Sequence, residues 1–448
     1  MRIERIFGTV AVLPLFAACN GGDEPKPVDP ETITSTVTIT ETNQVTVTNP
    51  KPPGPCDRGD SGVICTYVGT AGLAQFSPEG LDRLSSALYL PVDSLHGPDG
   101  TPYVLDWNNH RIRQVNPDDS VTTAAGTGFL GDGIFNADLG IWEDGPAGEF
   151  AFNHPTNLAF DPNDDGHLYV AAWHNSRVER LNLATGEMEF YAGSGARSFA
   201  GDGGQALGDP DGPTGPLPAA ALDLPSAIAF DDAGVMYISD QANQVIRKVQ
   251  DGIITTIAGT VKITGYAGDG GPMTAAKFFG STGQAADPSS RIVFHEGSLY
   301  LADTENHVIR RIDLTTETVS TVVGAYEPDL VGIDTTGDGV SDIFPGIPGY
   351  AGDGAAATSA KLNKPRDIAF GADGEMYIAD TGNHCIRVVG TDGVISTFAG
   401  QCGVSGFAGN NKAPTEALLN TPFGIEVDVA GNLFISDTYN HIIRVIRK

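Results

Sequence analysis

From about residue 100 onward, a short alternation of apolar and polar positions keeps returning. It breaks at a Gly, Asp or Asn and then resumes. Six segments superimpose: "YVLDWNNHRIRQV" (103–115), "YVAAWHNSRVERL" (169–181), "YISDQANQVIRKV" (237–249), "YLADTENHVIRRI" (300–312), "YIADTGNHCIRVV" (377–389) and "FISDTYNHIIRVI" (434–446). A period of two marks strands with one buried face. Most segments follow an apolar run and a Gly turn, as in "IAFDDAGVMYISD" (228–240). The first five precede another strand-like run, such as "IITTIAGT" (253–260) or "VISTFAGQ" (394–401). Each unit thus reads strand, Gly turn, strand, "DxxN" turn, strand, tight turn, strand. That is a four-stranded antiparallel meander.

Such a sheet cannot bury its own faces, and a tandem series of them predicts a β-propeller. The Asn of the second turn recurs at 109, 175, 243, 306, 383 and 440, at intervals of 57 to 77 residues, so insertions lie between the units. Asn109-His110, Asn306-His307, Asn383-His384 and Asn440-His441, each with an Ile or Val and an Arg downstream, resemble the NHL repeat. The resemblance spans roughly residues 61–448 and implies an all-β, six-bladed propeller of four-stranded antiparallel blades. The sixth unit contains only three strands before "RVIRK" (444–448), and "SGVICTYVGTAG" (61–72) matches the missing fourth. The expectation is that this N-terminal strand docks on 441–447. The last blade would otherwise keep a row of unpaired backbone groups.

The first nineteen residues, "MRIERIFGTVAVLPLFAAC", carry a basic head, an apolar run and small residues before a cysteine. This predicts an export signal, too short to span a membrane. Phe16-Ala17-Ala18-Cys19 resembles the lipobox of bacterial lipoproteins, with Phe where that family usually has Leu. The resemblance implies a signal peptide over 1–18 and diacylation of Cys19. It also implies anchoring in the bacterial envelope, at the outer membrane. Residues 19–60, rich in Thr and Pro, read as an extended tether, and 61–448 as the propeller. Asp and Glu number 56 against 26 Lys and Arg, a formal charge of −30. That excess repels phosphate backbones and argues against nucleic-acid partners. We expect a monomer.

An exported chain permits disulfides. Cys56, Cys65, Cys385 and Cys402 allow three pairings, of which Cys56–Cys65 with Cys385–Cys402 is the simplest.

Asp106, Asp240, Asp303, Asp380 and Asp437 recur with Arg113, Arg247, Arg310, Arg387 and Arg444. Repetition in nearly every blade points to turn and cross-strand bonding rather than catalysis. The recurring His reads as a turn residue. Departures from the repeat mark candidate function. Blade two has Ala172, Ser176 and Glu179 for Asp, His and Arg. Trp107, Trp173 and Trp142 map to one face of the sector formed by blades one and two, and present candidate rings for a protein, peptide or glycan ligand. Asp132, Asp202, Asp269 and Asp353, in Gly-Asp connections, form either a partial acidic ring or ordinary tight turns.

"DTTGDGVSD" (334–342) resembles Asp-rich calcium loops, with Asp334, Asp338 and Asp342 as ligands and calcium as the implied cofactor, although Thr336 and Pro345 depart from the pattern. The functional expectation is a lipid-anchored binding or scaffold module. Propellers related to the NHL type include lactonases and lyases that gather a metal from polar residues of the innermost strands. That resemblance implies an alternative catalytic set at the channel: Asp93, Asn157, Asp367 and Glu426.

Overall fold

A computed structural model describes residue 56 and residues 59–207, 220–283, 286–326 and 346–448, all within the unit Pro52–Lys448. Cys19, the tether before Cys56 and the calcium-loop residues Asp334, Asp338 and Asp342 lie outside the described residues.

Alternation and turn chemistry produce six antiparallel blades. Blade one is Pro91–His96, Pro102–Asp106, Arg111–Val115 and Ser120–Ala125. Blade two is Asn157–Asp161, Asp164–Ala172, Arg177–Asn182 and Glu187–Ala192. Blade three is Pro225–Phe230, Met236–Asp240, Val245–Gln250 and Ile253–Gly259. Blade four is Ile292–His295, Ser298–Asp303, Val308–Asp313 and Thr318–Val323. Blade five is Asp367–Phe370, Met376–Asp380, Cys385–Val389 and Ile395–Ala399. Blade six is Ile425–Val427, Leu433–Asp437, Ile442–Ile446 and, from the other end of the chain, Ile64–Val68. Ile64 pairs with Ile446 and Thr66 with Arg444, so the N-terminal strand completes the last sheet as expected. The disulfides are Cys56–Cys65, at the base of that strand, and Cys385–Cys402.

The core is a ring of interfaces rather than one central mass. Leu105, Ile112, Val170 and Leu181 join blades one and two. Val68, Val104, Val121 and Ile443 do the same between blades six and one. Other apolar clusters fill the remaining four seams.

Five of the second turns are single 3-10 turns, such as Thr304–Asn306, followed by a left-handed residue: His110, Gln244, His307, His384 or His441 (φ 50 to 60°). The buried Asp before the turn bonds its own turn through the Asn side-chain amide rather than through backbone N–H groups. Asp380 Oδ1 accepts the N–H of Asn363 in the preceding connection, while Oδ2 accepts Asn383 Nδ2. The fourth strand ends on a Gly for a steric reason: at Gly259 (φ +90°) an added Cβ would stand 2.4 Å from the Gln244 carbonyl oxygen.

The repeated His has a role at the seams. Its Nδ1 accepts the backbone N–H that opens the next blade: Lys364 to His307 at 3.0 Å, Thr421 to His384 at 3.0 Å, Leu90 to His441 at 3.2 Å. Burial lowers all three imidazoles, His307 and His441 to about 4, which keeps Nδ1 free to accept. Blade three uses Gln244, whose Oε1 accepts Gly280 N–H at 2.8 Å.

Candidate functional site

Antiparallel order places the second turns and the blade-to-blade connections on one face, around one mouth of the channel. Just inside that mouth, one residue from each blade's innermost run, paired with the second-strand residue before the repeated Asp position, forms a ring: Asp93, Asn157, Ala227, Arg291, Asp367 and Gly424. Cross-strand partners fix this register, since Asp93 faces Leu105, Asn157 faces Ala171 and Asp367 faces Ala379. Glu426 does not belong to the ring. It lies two residues beyond Gly424, and its carboxylate instead accepts the backbone N–H of His96 (2.7 Å) and meets His96 Nδ1 (2.8 Å) at the seam of blades six and one.

Two of the four predicted channel residues, Asp93 and Asp367, converge on a guanidinium, and a third, Asn157, bonds Asp93 beside it. Arg291 Nη1 donates to Asp93 Oδ1 and Asp367 Oδ2, both at 2.8 Å. Its Nη2 donates to the carbonyls of Val92 and Thr156. Asn157 Nδ2 donates to Asp93 Oδ2 at 3.0 Å. Arg291 from blade four thus reaches blades one, two and five across the axis. Gly424 makes room, because a Cβ there would lie 2.5 Å from Val92 O and 3.1 Å from Arg291 Nη1. Burial works against the Arg291 charge, yet Asp93 and Asp367 outweigh it and hold its pKa above the usual value. Burial pushes Asp367 up to about 6. Two members of the predicted set, Asp93 and Asp367, are therefore counter-ions of an axial arginine. Arg291 itself was missed, although it interrupts an apolar strand at the position where Asp93, Asn157 and Asp367 interrupt theirs.

The Gly-Asp connections are not a free acidic ring either. Each Asp faces an arginine of its own blade: Asp202 with Arg247 (2.6 Å), Asp269 with Arg310 (2.7 Å), Asp353 with Arg387, and Asp132 with Arg177 (2.7 Å). In the connections to blades three, four and five the aromatic three residues before the Asp covers the guanidinium, Phe199 over Arg247 at 4.6 Å, Tyr266 over Arg310 at 4.5 Å and Tyr350 over Arg387 at 4.9 Å. Connection and blade are clamped together by one cation held between a carboxylate and a π face.

Blade two builds its clamp from a different residue, Arg177, which lies over Phe190 at 4.0 Å. Glu179 stands where the other blades place Arg, and both its carboxylate oxygens are buried without a hydrogen-bond partner. Burial holds its pKa well above the usual carboxylate range. In the same sector Trp107 and Trp173 touch, with ring centroids 6.5 Å apart, and His154 and His174 pack on them. Trp173 is 1 % exposed, so it offers no face to a ligand. Its ring supports the wall of the mouth instead. Trp142 stands apart from that pair, on a hairpin (Ile134–Asn136 with Ile141–Glu143) where it pairs with Phe135.

That hairpin belongs to the connection between blades one and two, which carries more exposed large apolar side chains than any other connection among the described residues. Phe129 is 77 % exposed, Leu139 66 % and Leu130 62 %, with Phe135, Ile141 and Trp142 beside them in sequence. Exposed Asp138, Asp144 and Glu149 accompany them, and residues 126–152 contain no Lys or Arg. The apolar residues outside Trp142 escaped the sequence reading because an insertion has no repeat against which to be compared.

The teneurin NHL domain family matches residues 62–278 and 289–406. The chain belongs to that family. Among its NHL relatives are teneurin-3 of Mus musculus, 28 % identical over 67 % of this chain, and teneurin-3 of Danio rerio, 29 % identical over 80 %. NHL repeat-containing protein 2 of Gallus gallus is 27 % identical over 68 % of this chain. The alignments cover 12 % of each teneurin and 40 % of the chicken protein, so the similarity concerns the NHL propeller and not the relatives' whole length. Two solved structures share the fold. One is a Bacteroides thetaiotaomicron protein of unknown function, with TM-score 0.56 and 17 % identity over 86 % of this chain and 75 % of that one. The other is an auxiliary nutrient binding protein of the same organism, with TM-score 0.54 and 15 % identity over 85 % and 75 %.

Proposed function

We propose that this NHL propeller is an exported recognition module that binds a protein or peptide through the connection between blades one and two. The carrying observation is the exposed apolar group of Phe129, Leu130, Phe135, Leu139, Ile141 and Trp142. A cluster of that size is unusual on a monomer surface without a partner. The accompanying acids favour a partner with basic residues around an apolar groove. Binding rather than catalysis also agrees with the axis, where Arg291 consumes the carboxylates that a channel metal would need. The nutrient-binding neighbour is consistent with a binding role but shares only the fold.

Two disulfides fit an oxidising, extracytoplasmic compartment. We propose that export proceeds through the signal over 1–18 and that lipid on Cys19 anchors a tethered disc to the envelope, at the outer membrane. Metabolic labelling with an alkyne fatty acid should mark the wild type and not Cys19→Ser. Equal labelling of the two would sink the anchor.

The recognition claim is tested with Phe135→Asp/Leu139→Asp. Affinity capture from an envelope extract should lose the wild-type partner while the melting temperature stays within about 2 °C, as expected for surface substitutions. Capture of the same partner by both proteins would overturn the surface. Release of that partner by simple sugars would redirect the reading to a glycan.

A further inference from the structure

Among the described residues no three His, Cys, Asp or Glu side chains gather as a metal cluster. Blade two nevertheless brings together two histidines that the repeat does not supply. His154 occupies the left-handed position that opens a blade (φ 55°), held by Leu90, Lys364 and Thr421 elsewhere. His174 sits in the second turn, where other blades have Asn108, Ala242, Glu305, Gly382 and Tyr439. Both are half-buried at the mouth.

Their Nδ1 atoms are 3.3 Å apart, and Asn153 Oδ1 lies 2.8 Å from His154 Nδ1. The ring centroids are 5.1 Å apart and the planes cross at 82°. A tetrahedral ion with metal–nitrogen bonds of about 2.0–2.1 Å places two imidazole nitrogens about 3.3–3.4 Å apart and their ring centroids about 5.2 Å apart. A linear hydrogen bond of the same N···N length would instead separate the centroids by about 5.6 Å. The two Nδ1 atoms are therefore spaced as a shared ion would space them, and His154 Nδ1, which donates its proton to Asn153 Oδ1 when no ion is bound, takes the other tautomer when one binds.

Both rings are already oriented. His174 stacks on Trp173 at 4.2 Å and 17°, which turns its Nδ1 toward His154 Nδ1. His154 leans on Trp107 at 4.8 Å and on His110 at 4.4 Å. His110 does not compete for the ion through Nδ1, which accepts the His154 backbone N–H at 3.2 Å. The formal charge of −30 favours cations near the surface.

We propose that His154, His174 and Asn153 form a binding site for a borderline divalent cation such as Zn²⁺ or Cu²⁺, with water completing the coordination. Two imidazoles with an amide oxygen suit these ions and not calcium or magnesium. The site lies at the channel mouth.

The test uses untagged, metal-stripped full-length protein titrated with zinc chloride by calorimetry. The site predicts one equivalent bound by the wild type. Affinity should weaken at least about tenfold in His174→Gln and in His154→Asn, the loss typical of a removed metal contact. Cu²⁺ should quench the fluorescence of Trp107 and Trp173 in the wild type and much less in His174→Gln. His167→Gln, whose imidazole pairs with Asp164 away from the mouth, should bind as the wild type does. His154→Asn keeps a residue that tolerates positive φ, and His174→Gln changes a position that other blades fill freely, so a folded variant is available even if one fails. Absence of binding by the wild type, or unchanged affinity in folded His174→Gln, would overturn the site.

Discussion

Glu179 and Arg291 show how much one buried charge decides in this ring. Five blades bury an arginine between an Asp and a connection, whereas blade two buries Glu179 with no partner for either oxygen. Its folded pKa is raised, so the native state must keep a proton that the unfolded chain releases above about 4.5. Its stability contribution is present below that pH and is lost as pH rises toward the folded value. Glu179→Gln mimics the neutral acid without that cost. It should raise the melting temperature at pH 8 more than at pH 4.5, and an equal effect at both would contradict the assignment. Arg291 is the opposite case, a buried cation matched by Asp93 and Asp367. Arg291→Met leaves two carboxylates unpaired and should cost about 3–5 kcal/mol in urea unfolding. A neutral result would mean the axial network carries little of the fold.

The blade is the unit that sequence pattern reads best. Strands, Gly turns and the Asp-x-x-Asn turn follow from alternation and local turn chemistry, and all six blades stand where the repeat predicts. What one blade does to the next was not legible. That the His Nδ1 accepts the opening N–H of the following blade depends on packing between segments some 37 to 57 residues apart (or, for His441 and Leu90, at opposite ends of the chain). Likewise the resemblance to channel-metal propellers points to Glu426 as a polar residue of an innermost strand. Only pairing registers show that Gly424 holds the ring position and that Arg291 fills the space. The seam role of histidine carries a pH prediction. The lowered pKa values of His307, His384 and His441 mean that the unfolded chain takes up protons below about 6.5 before the native state does. Stability should therefore fall as pH drops from about 6.5 toward 4. Changing all three to Gln, which serves at position 244 in blade three, should flatten that fall in a thermal-denaturation series and leave pH 7.5 stability nearly unchanged. A slope identical to wild type would remove the seam histidines from the account.

At the scale of the molecule, closure and recognition are separate matters. The ring closes through Ile64–Val68 against Ile442–Ile446, and deleting 61–68 should expose that edge and lower the melting temperature of the whole propeller, not of one blade. The proposed recognition surface lies in a sector where the repeat is most altered: Glu179 for Arg, tryptophans in the turns, and an exposed apolar hairpin in the connection. The most direct test of this account is a photo-crosslinking amino acid placed in turn at Phe129, Leu139 and, as a control away from the connection face, Asp373 in the Gly turn of blade five. The account predicts a discrete adduct in envelope membranes from 129 and 139, suppressed by excess unlabelled propeller, and none from 373. The same adduct from 373, or none from 129 and 139, would contradict it.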